Sequence, residues 1–371
     1  MMPQSLQGGG SALGAVTRRF EPRTIVAAVI VVALAVFLVT RVVSCVTHRD
    51  SGPVTSVDRA ATTLVGEISD TTSTSIRATF SLDNADFTTV ADSESPSMFT
   101  FVTSTETGET IEASTLSAES SASLEAALAP FAQSDASVGF VAFNFDTGEG
   151  VAYNIDEMIY GASSYKAHYS AYVCQELIES GTYSLSFPIS SWQETSSGFH
   201  MSGSETVRDA INDVIVWSDN GSLGSLRTAF DGSTYNAWLE NLGIADSVVD
   251  VGGAWFPTYT ARASAQLWLN TYRYLGTNTE TSAWLGSLLE ETEVSFLRDA
   301  LEGAGYDGAI VKNKAGWCVD SDPDYNSVCD AGIVSYDGTD YLVCIMTSAA
   351  DSATARANYE TLAAAVFAAC L

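Results

Sequence analysis

Hydrophobic residues follow regular strand and helix patterns from about residue 118 to the C-terminus. Apolar and polar positions alternate over 138–146 and 150–156 around Thr147-Gly148, which predicts a β-hairpin. A strand at 309–317 and a second strand pair at 331–338 and 340–349, joined by Asp337-Gly338, are also predicted. Helical spacing is found over 122–132, 164–180, 206–217, 223–230, 234–243, 260–275, 282–291, 294–301 and 353–370. This order predicts one mixed domain whose sheet combines strands from both ends of residues 118–371.

The N-terminal region contains an uncharged apolar run at residues 24–40. Extended to residue 44, it is long enough to predict a transmembrane signal anchor, with residues 1–23 in the cytoplasm. Arginines 18, 19 and 23 precede the run, and no cleavage site of the A-x-A type follows it. The alternative is a lipoprotein signal ending at Cys45. Both interpretations place the bulk of the chain outside the membrane.

Residues 45–117 are rich in Ser, Thr, Asp and Glu. We expect a stalk, within which alternation at 75–82 and 98–105 indicates a small β unit, with a hairpin turn at 105–108. Disorder is the alternative interpretation, because the composition is of low complexity. Nothing in this region suggests chemistry.

The whole chain is strongly acidic, with a formal net charge of −29 and a sequence pI near 4.1. Such a surface repels nucleic acid and anionic lipid, so neither is expected as a partner. The simplest interpretation of the acidity is a solvated exterior.

Six cysteines are present, of which Cys318 and Cys329 flank a polar, acidic loop. Outside the cell, a disulfide between these two is permitted and would brace the loop. Metal binding is the other interpretation, but the spacing matches no zinc pattern and the three histidines are scattered. We therefore expect no metal and no other cofactor.

Lysine is rare, with three residues in 371, and two of these lie in motifs suited to serine chemistry. Ser163 and Lys166 are three residues apart at the start of a predicted helix, which places them on one face. A neutral lysine can accept the proton of a nucleophilic serine, and burial near another positive charge favours the neutral form. The alternative is a helix start at which Ser163 or Ser164 is the N-cap.

A second motif, Ser218-Asp219-Asn220, follows an apolar helix. In a catalytic interpretation, Ser218 relays a proton between Lys166 and the leaving group. Asn220 would then bind a substrate amide, and Asp219 would fix the turn. The alternative is a polar turn that caps a helix.

The third motif, Lys314-Ala315-Gly316, lies on the predicted strand at 309–317. Lys314 would hold an anion, and the glycine would allow close approach of two backbones. The amide of the next residue, Trp317, is predicted to form an oxyanion hole with the Ser163 amide. The alternative is an exposed lysine on a strand edge, and Lys312 faces the same side.

Together the three motifs resemble those of the class A β-lactamases and penicillin-binding proteins, whose set is S-x-x-K, S-D-N and K-T-G. The flanking segments 139–166, 204–222 and 259–275 are similar to those of the family as well, so the resemblance covers about residues 118–371. It implies an α/β (α+β) fold of two parts, an antiparallel sheet flanked by helices and an all-helical part, with the site between them. It also implies that Ser163 is the nucleophile and Lys166 its base.

Two departures from the family pattern bear on function. The stretch 244–262 contains no glutamate, whereas class A β-lactamases have one in this omega loop that activates the deacylating water. Asp246 and Asp250 are the nearest carboxylates. Ala315 replaces the usual threonine or serine, whose hydroxyl helps to bind the substrate carboxylate, so altered substrate choice or weak carboxylate binding is expected.

The sequence thus predicts a single-pass membrane protein with an extracytoplasmic serine hydrolase that forms an acyl-enzyme on Ser163. The substrate would be a small β-lactam or a D-alanyl-type amide of a peptidoglycan peptide. A non-catalytic wall-binding or interaction module is the alternative, and a structural surface protein with coincidental motifs is a third. The oligomeric state is left open. The predicted catalytic residues are Ser163, Lys166, Ser218 and Lys314. The predicted substrate-binding residues are Asn220, Ala315, Gly316 and Trp317. Trp255 and Phe256 are candidates for the wall of the site, and the alternative for each of them is burial in the core.

Overall fold

A six-stranded antiparallel sheet forms the centre of the fold. The computed structural model describes residues 80–102, 111–250 and 255–371. In spatial order the strands are β1 (Ser97–Thr100), β3 (Glu149–Tyr153), β2 (Val138–Asn144), β11 (Thr339–Thr347), β10 (Ser327–Tyr336) and β9 (Ile310–Cys318). Since β2 pairs with β11, strands from both ends of the domain meet at the middle of the sheet, as predicted.

The two predicted hairpin turns are confirmed. Gly148 (φ 74°) lies between β2 and β3, and Asp337 (φ 50°) and Gly338 (φ 84°) join β10 to β11. At the second turn both central residues have positive φ, the backbone geometry of a tight hairpin turn, which explains the aspartate and glycine there.

Helices cover both faces of the sheet. They are α1 (Ala118–Gln133), α2 (Tyr165–Tyr172), α3 (Val207–Val216), α4 (Asn220–Phe230), α5 (Ser233–Asn241), α6 (Ala261–Leu275), α7 (Glu280–Glu290), α8 (Phe296–Gly303) and α9 (Ala353–Cys370). Helices α1, α8 and α9 share a hydrophobic cluster with one face of the sheet. Helices α2 to α7 share the other cluster with the opposite face. Because both faces are covered, every residue of β2 is buried.

Two smaller β elements lie outside the main sheet. Strands β4 (Ile159–Tyr160), β8 (Pro257–Tyr259) and β7 (Val248–Asp250) form a three-stranded sheet, which joins the approach to Ser163 to the segment before α6. Strands β5 (Pro188–Thr195) and β6 (Gly198–Thr206) form a separate hairpin. The sequence analysis did not predict this hairpin.

Part of the segment expected to be a stalk packs into the domain. The strand predicted at 98–105 is confirmed over Ser97–Thr100, but it pairs with β3 at the edge of the main sheet instead of forming a separate unit. The strand predicted at 75–82 is wrong at its last residue, because Leu82 begins a short helical turn, Leu82–Asn84. The rings of Phe80, Phe87 and Phe101 lie 5.3–5.5 Å from that of Phe143, centroid to centroid. The packed domain therefore extends N-terminally beyond residue 118, and the turn predicted at 105–108 lies outside the described residues.

The predicted disulfide between Cys318 and Cys329 is wrong, because both thiols are free. Cys318 lies opposite Ser327 and Cys329 lies opposite Gly316, so the two cysteines are diagonal neighbours on adjacent strands. Diagonal side chains are too far apart for the Cβ–Cβ distance of about 4 Å that a disulfide needs. The Cys329 thiol is buried beside the carbonyl oxygens of Tyr160 and Thr347.

Across the described ranges, no helix combines the length and the apolar character needed to cross a bilayer. The signal anchor predicted at residues 24–44 and the lipoprotein alternative at Cys45 lie outside those ranges.

Candidate active site

Ser163 lies in a single tight turn, Ala162–Ser164, at the entrance to α2. Ala162 has a positive φ of 45°, an uncommon conformation for a residue with a side chain. The buried Ser164 hydroxyl donates to the carbonyl oxygen of Gly161 at 2.6 Å and accepts from the Tyr259 hydroxyl at 2.6 Å. Ser164 is the N-cap residue of α2, as the alternative interpretation proposed, but its side chain makes no capping hydrogen bond to this helix. Ser164 fixes the turn and leaves Ser163 at the cleft.

Lys166, one turn along, is fully buried, and its amine points towards the Ser218-Asp219-Asn220 segment. Nζ donates to the Ser218 carbonyl oxygen at 2.5 Å and to Asn220 Oδ1 at 2.6 Å, and it lies 3.3 Å from Ser218 Oγ. Within the described residues, no hydrogen bond joins Lys166 to the Ser163 hydroxyl. The hydroxyl that Lys166 Nζ does contact is that of Ser218, which favours a proton route through the Ser218 hydroxyl.

The surroundings of Lys166 favour its neutral form. Burial lowers the pKa of this amine well below its usual value, and the positive charge of Lys314 lowers it further, against the opposing effects of Asp219 and Glu194. A neutral amine has two N–H groups and one lone pair. Two of its contacts can receive those N–H groups, and the lone pair remains to accept a hydroxyl proton.

The turn between α3 and α4 presents Ser218 and Asn220 to the cleft. Ser218 has a positive φ of 58°, and Asp219 caps α4 by accepting from the Ser222 amide at 2.7 Å. This is the helix cap that the alternative interpretation of the motif predicted, and it fixes the turn; the catalytic roles of Ser218 and Asn220 stay predictions.

The third motif lies on β9, where Lys314 is 1% exposed and Gly316 lies against the Ala162–Ser164 turn. A Cβ placed on Gly316 would be 2.4 Å from the Gly161 oxygen and 2.8 Å from the Ser163 nitrogen. The prediction that this glycine allows backbone to approach backbone is therefore confirmed. The paired amides of Ser163 and Trp317 stay a prediction, which this proximity favours.

Burial lowers the pKa of Lys314 to about 8, against the opposing charge of Asp330. Asp330 is itself buried, and it accepts two hydrogen bonds of 2.7 Å from Asn313 Nδ2. Lys312, by contrast, is partly exposed and pairs with Glu290 at 3.3 Å. Of the two lysines on this strand, Lys314 is the one in the site.

Ala315 and Trp317, the other two residues of this strand that were predicted for the site, differ in their position relative to the cleft. The side chain of Ala315 is fully buried in the cluster beneath α8 and α9, so it does not line the cleft. Trp317 packs on Phe296 and Arg356, and it also borders the cleft.

These parts surround one cleft of about 250 Å³. Five residues predicted for the site line it together: Ser163, Ser218, Asn220, Lys314 and Trp317. Lys166, Ala315 and Gly316 are not among the lining residues. Trp217, Glu293 and Val294 line it as well and were not predicted. Trp217 ends the apolar run of α3, and its 62% exposure is not visible from that pattern.

The segment that lacks a glutamate is held by other contacts. Phe256 covers the amine of Lys166, with 5.4 Å between Nζ and the ring centroid. Both Asp250 oxygens accept from the buried Arg227, at 3.3 and 2.8 Å, so this carboxylate already has a structural role. Asp246 is exposed on a short helical turn. Trp255 packs over Gly224 and against Trp192, and thus belongs to the wall formed with the β5–β6 hairpin.

The hairpin itself carries Glu194, whose Oε2 accepts from Asn220 Nδ2 at 2.8 Å. Sequence reasoning missed this residue. The only signal was a Ser-Ser-Gly turn between two largely polar runs, because an exposed hairpin has no buried face to impose alternation.

Comparison with known proteins agrees with this geometry. A family model described as the β-lactamase enzyme family matches residues 121–370. A search of curated proteins finds no match. One similar solved structure is PBP-A, with 16% sequence identity and a TM-score of 0.55, in a match that covers 67% of this chain and 95% of PBP-A. Another is the TLA-3 extended-spectrum β-lactamase, with 15% identity and a TM-score of 0.54, in a match that covers 67% of this chain and 97% of that one. A β-lactamase from Sphaerobacter thermophilus is similar too, with 18% identity and a TM-score of 0.54, in a match that covers 67% of this chain and 97% of that one.

At these identities the structural neighbours establish the fold alone, while the family model covers most of the chain. Residues from each of the three motifs line one cleft, and by the match to the family model this chain belongs to the β-lactamase enzyme family.

Proposed function

We propose that this protein is a serine hydrolase that forms an acyl-enzyme on Ser163 and releases it slowly. The observation that carries the proposal is the buried Lys166 amine, held against Ser218 and Asn220 beside a second buried lysine. A lysine in these surroundings is a proton acceptor, which a nucleophilic serine requires.

The reaction follows from the residues at the cleft. The Ser163 oxygen attacks the carbonyl carbon of a β-lactam or a D-alanyl-type amide, and its proton passes to Lys166. As the C–N bond breaks, the proton reaches the leaving nitrogen through the Ser218 hydroxyl. Asn220 binds the amide of the acyl part, and Lys314 attracts an anionic group on the leaving side. The amides of Ser163 and Trp317 stabilise the charged carbonyl oxygen.

Slow release follows from the contacts of the 244–262 segment. A base near the ester would activate water for deacylation. In the described part of this segment, Asp250 is bound to Arg227, and an aromatic ring covers Lys166. A mutant of PBP-A has been solved as an acyl-enzyme complex with penicillin G, at 17% identity to this chain. We also propose that the domain acts outside the membrane, tethered by residues 24–44, where cell-wall amides are accessible.

The test is the intact mass of the full-length chain after mixing with benzylpenicillin, followed over time. We expect a persistent adduct on the parent protein and none on Ser163→Ala. Ser123→Ala is the matched control and should keep the adduct, since this serine is exposed on α1, away from the cleft. An adduct that persists on Ser163→Ala would refute the nucleophile assignment.

A non-catalytic binding module is the second candidate. It is favoured by the absence of a hydrogen bond between Lys166 and Ser163 within the described residues. No adduct on a folded parent protein, with penicillin bound reversibly, would support this candidate.

A further inference from the structure

The β5–β6 hairpin is fixed against the N-terminal half of α4 by contacts of the Trp192 backbone. The Trp192 amide donates to Ser225 Oγ at 2.9 Å, and a Cβ on Gly221 would lie 2.2 Å from the Trp192 carbonyl oxygen. The ladder of the hairpin shifts register between Ser191 and Trp192. A shift of this kind redirects the side chains that follow it. Glu194 is two residues further along and is hydrogen-bonded to Asn220, which lines the cleft.

Glu194 and Lys166 together orient the side chain of Asn220. Asn220 Oδ1 accepts from Lys166, and Asn220 Nδ2 donates to Glu194 Oε2. The Asn220 amide is therefore fixed in one orientation, with one Nδ2 hydrogen left for a substrate carbonyl. The Glu194 carboxylate thus lies directly beside the place where the acyl amide of a substrate would bind.

The Glu194 carboxylate is not paired with a cationic side chain. Among the described residues, Glu194 forms no salt bridge, and Asn220 is its hydrogen-bond partner. Its side chain is exposed at the rim. An anionic group beside an amide-binding residue attracts a cationic group two or three bonds from the substrate amide.

We propose that Glu194 is a specificity-determining residue, which selects acyl donors that carry an ammonium group next to the amide bound by Asn220. This inference rests on the proposed function and names its substrate class. The class comprises β-lactams with an α-amino side chain, and peptides with a free ammonium group on the acyl side. Glu293, the other glutamate at the cleft, lines it together with Lys314 and Val294.

The test compares ampicillin with benzylpenicillin, which differ by one α-ammonium group. Second-order acylation rates are measured for both at a pH where that group is protonated. We expect the parent protein to favour ampicillin by about fivefold, the effect of a partly exposed ion pair. Glu194→Gln should bring the ratio close to one. Glu125→Gln, which removes an exposed charge on α1, should keep the parent ratio.

Three results would overturn the proposal. The first is a parent ratio of one. The second is a Glu194→Gln variant in which both rates fall equally, since this would mean that Glu194 only positions Asn220. The third is a ratio that falls in Glu293→Gln and not in Glu194→Gln.

Equilibrium binding of both penicillins to Ser163→Ala, with and without Glu194→Gln, provides the same comparison without acylation. If the parent protein forms no adduct, the proposed hydrolase fails, yet this binding ratio still decides the role of Glu194. Equal binding of the two penicillins would then reject it.

Discussion

Replacing Gly316 with alanine is expected to push β9 away from the Ala162–Ser164 turn. A Cβ at this position would lie 2.4 Å from the Gly161 oxygen and from the Ser164 nitrogen, and 2.8 Å from the Ser163 nitrogen. All three are backbone atoms, so none of them can rotate aside. Either the strand or the turn must move.

The required movement follows from these distances. Separations of 3.0–3.4 Å are the shortest that real Cβ contacts adopt, so a gap of 2.4 Å must widen by 0.6–1.0 Å. An oxyanion hole depends on donors placed to within a few tenths of an ångström. A misplacement of about 1 Å reduces a rate by roughly a hundredfold. Overpacking of this kind also costs about 1–3 kcal/mol of folding free energy.

The assay is the rate of adduct formation with benzylpenicillin, measured beside the thermal midpoint. We expect acylation of Gly316→Ala to be ten- to a hundredfold slower while the protein still melts cooperatively. Gly303→Ala is the matched control, since nothing lies within 4 Å of its added methyl group. A folded Gly316→Ala variant that is acylated at the parent rate would refute the argued contact between β9 and Ser163.

Three further predictions concern charge and the 244–262 segment. Burial lowers the pKa of Lys314 to about 8, so its positive charge is lost as pH rises through that value. The rate of acylation by anionic penicillins should therefore fall above that pH. Lys314→Arg, which stays charged, should move this alkaline limb of the pH–rate profile to higher pH. An unchanged limb would contradict the role of Lys314. Asp250→Asn should lower the free energy of unfolding by about 1 kcal/mol in denaturant titrations, because Arg227 loses a charged partner that is itself half exposed. It should leave the adduct lifetime unchanged, and a longer lifetime would mean that Asp250 activates water. Phe256→Glu should shorten the adduct lifetime at least tenfold, because it places a base beside Lys166, whereas Phe256→Gln should not. Equal adduct lifetimes for these two variants would exclude a position of residue 256 from which its side chain can activate water.

Short-range rules account for what the sequence predicted well. Helices α1 to α9 and strands β2, β3, β9, β10 and β11 follow from hydrophobic periodicity. The turns at Gly148 and at Asp337-Gly338 follow from residues that tolerate positive φ. The three motifs were recognisable because each depends on residues close together in the chain. Their order along the chain identified the family.

Tertiary packing decided the rest. The segment around Phe87 has polar, low-complexity surroundings, yet its amide donates to Gln266, 179 residues away, and its ring packs on Phe143. No local pattern specifies such a partner. The same holds for the register that leaves Cys318 and Cys329 diagonal to each other, which is set by the whole β9–β10 ladder.

The sequence by itself determined the fold class and the residues of the three motifs, because periodicity and motif spacing are local properties. Only the tertiary structure decided what surrounds those residues: Phe256 over Lys166, Arg227 on Asp250, and Glu194 beside Asn220. These contacts join segments far apart in the chain, and their geometry depends on how the hairpin, the helices and the sheet pack together. The chemistry of the cleft, as distinct from its family, therefore depends on packing that no single stretch of sequence encodes.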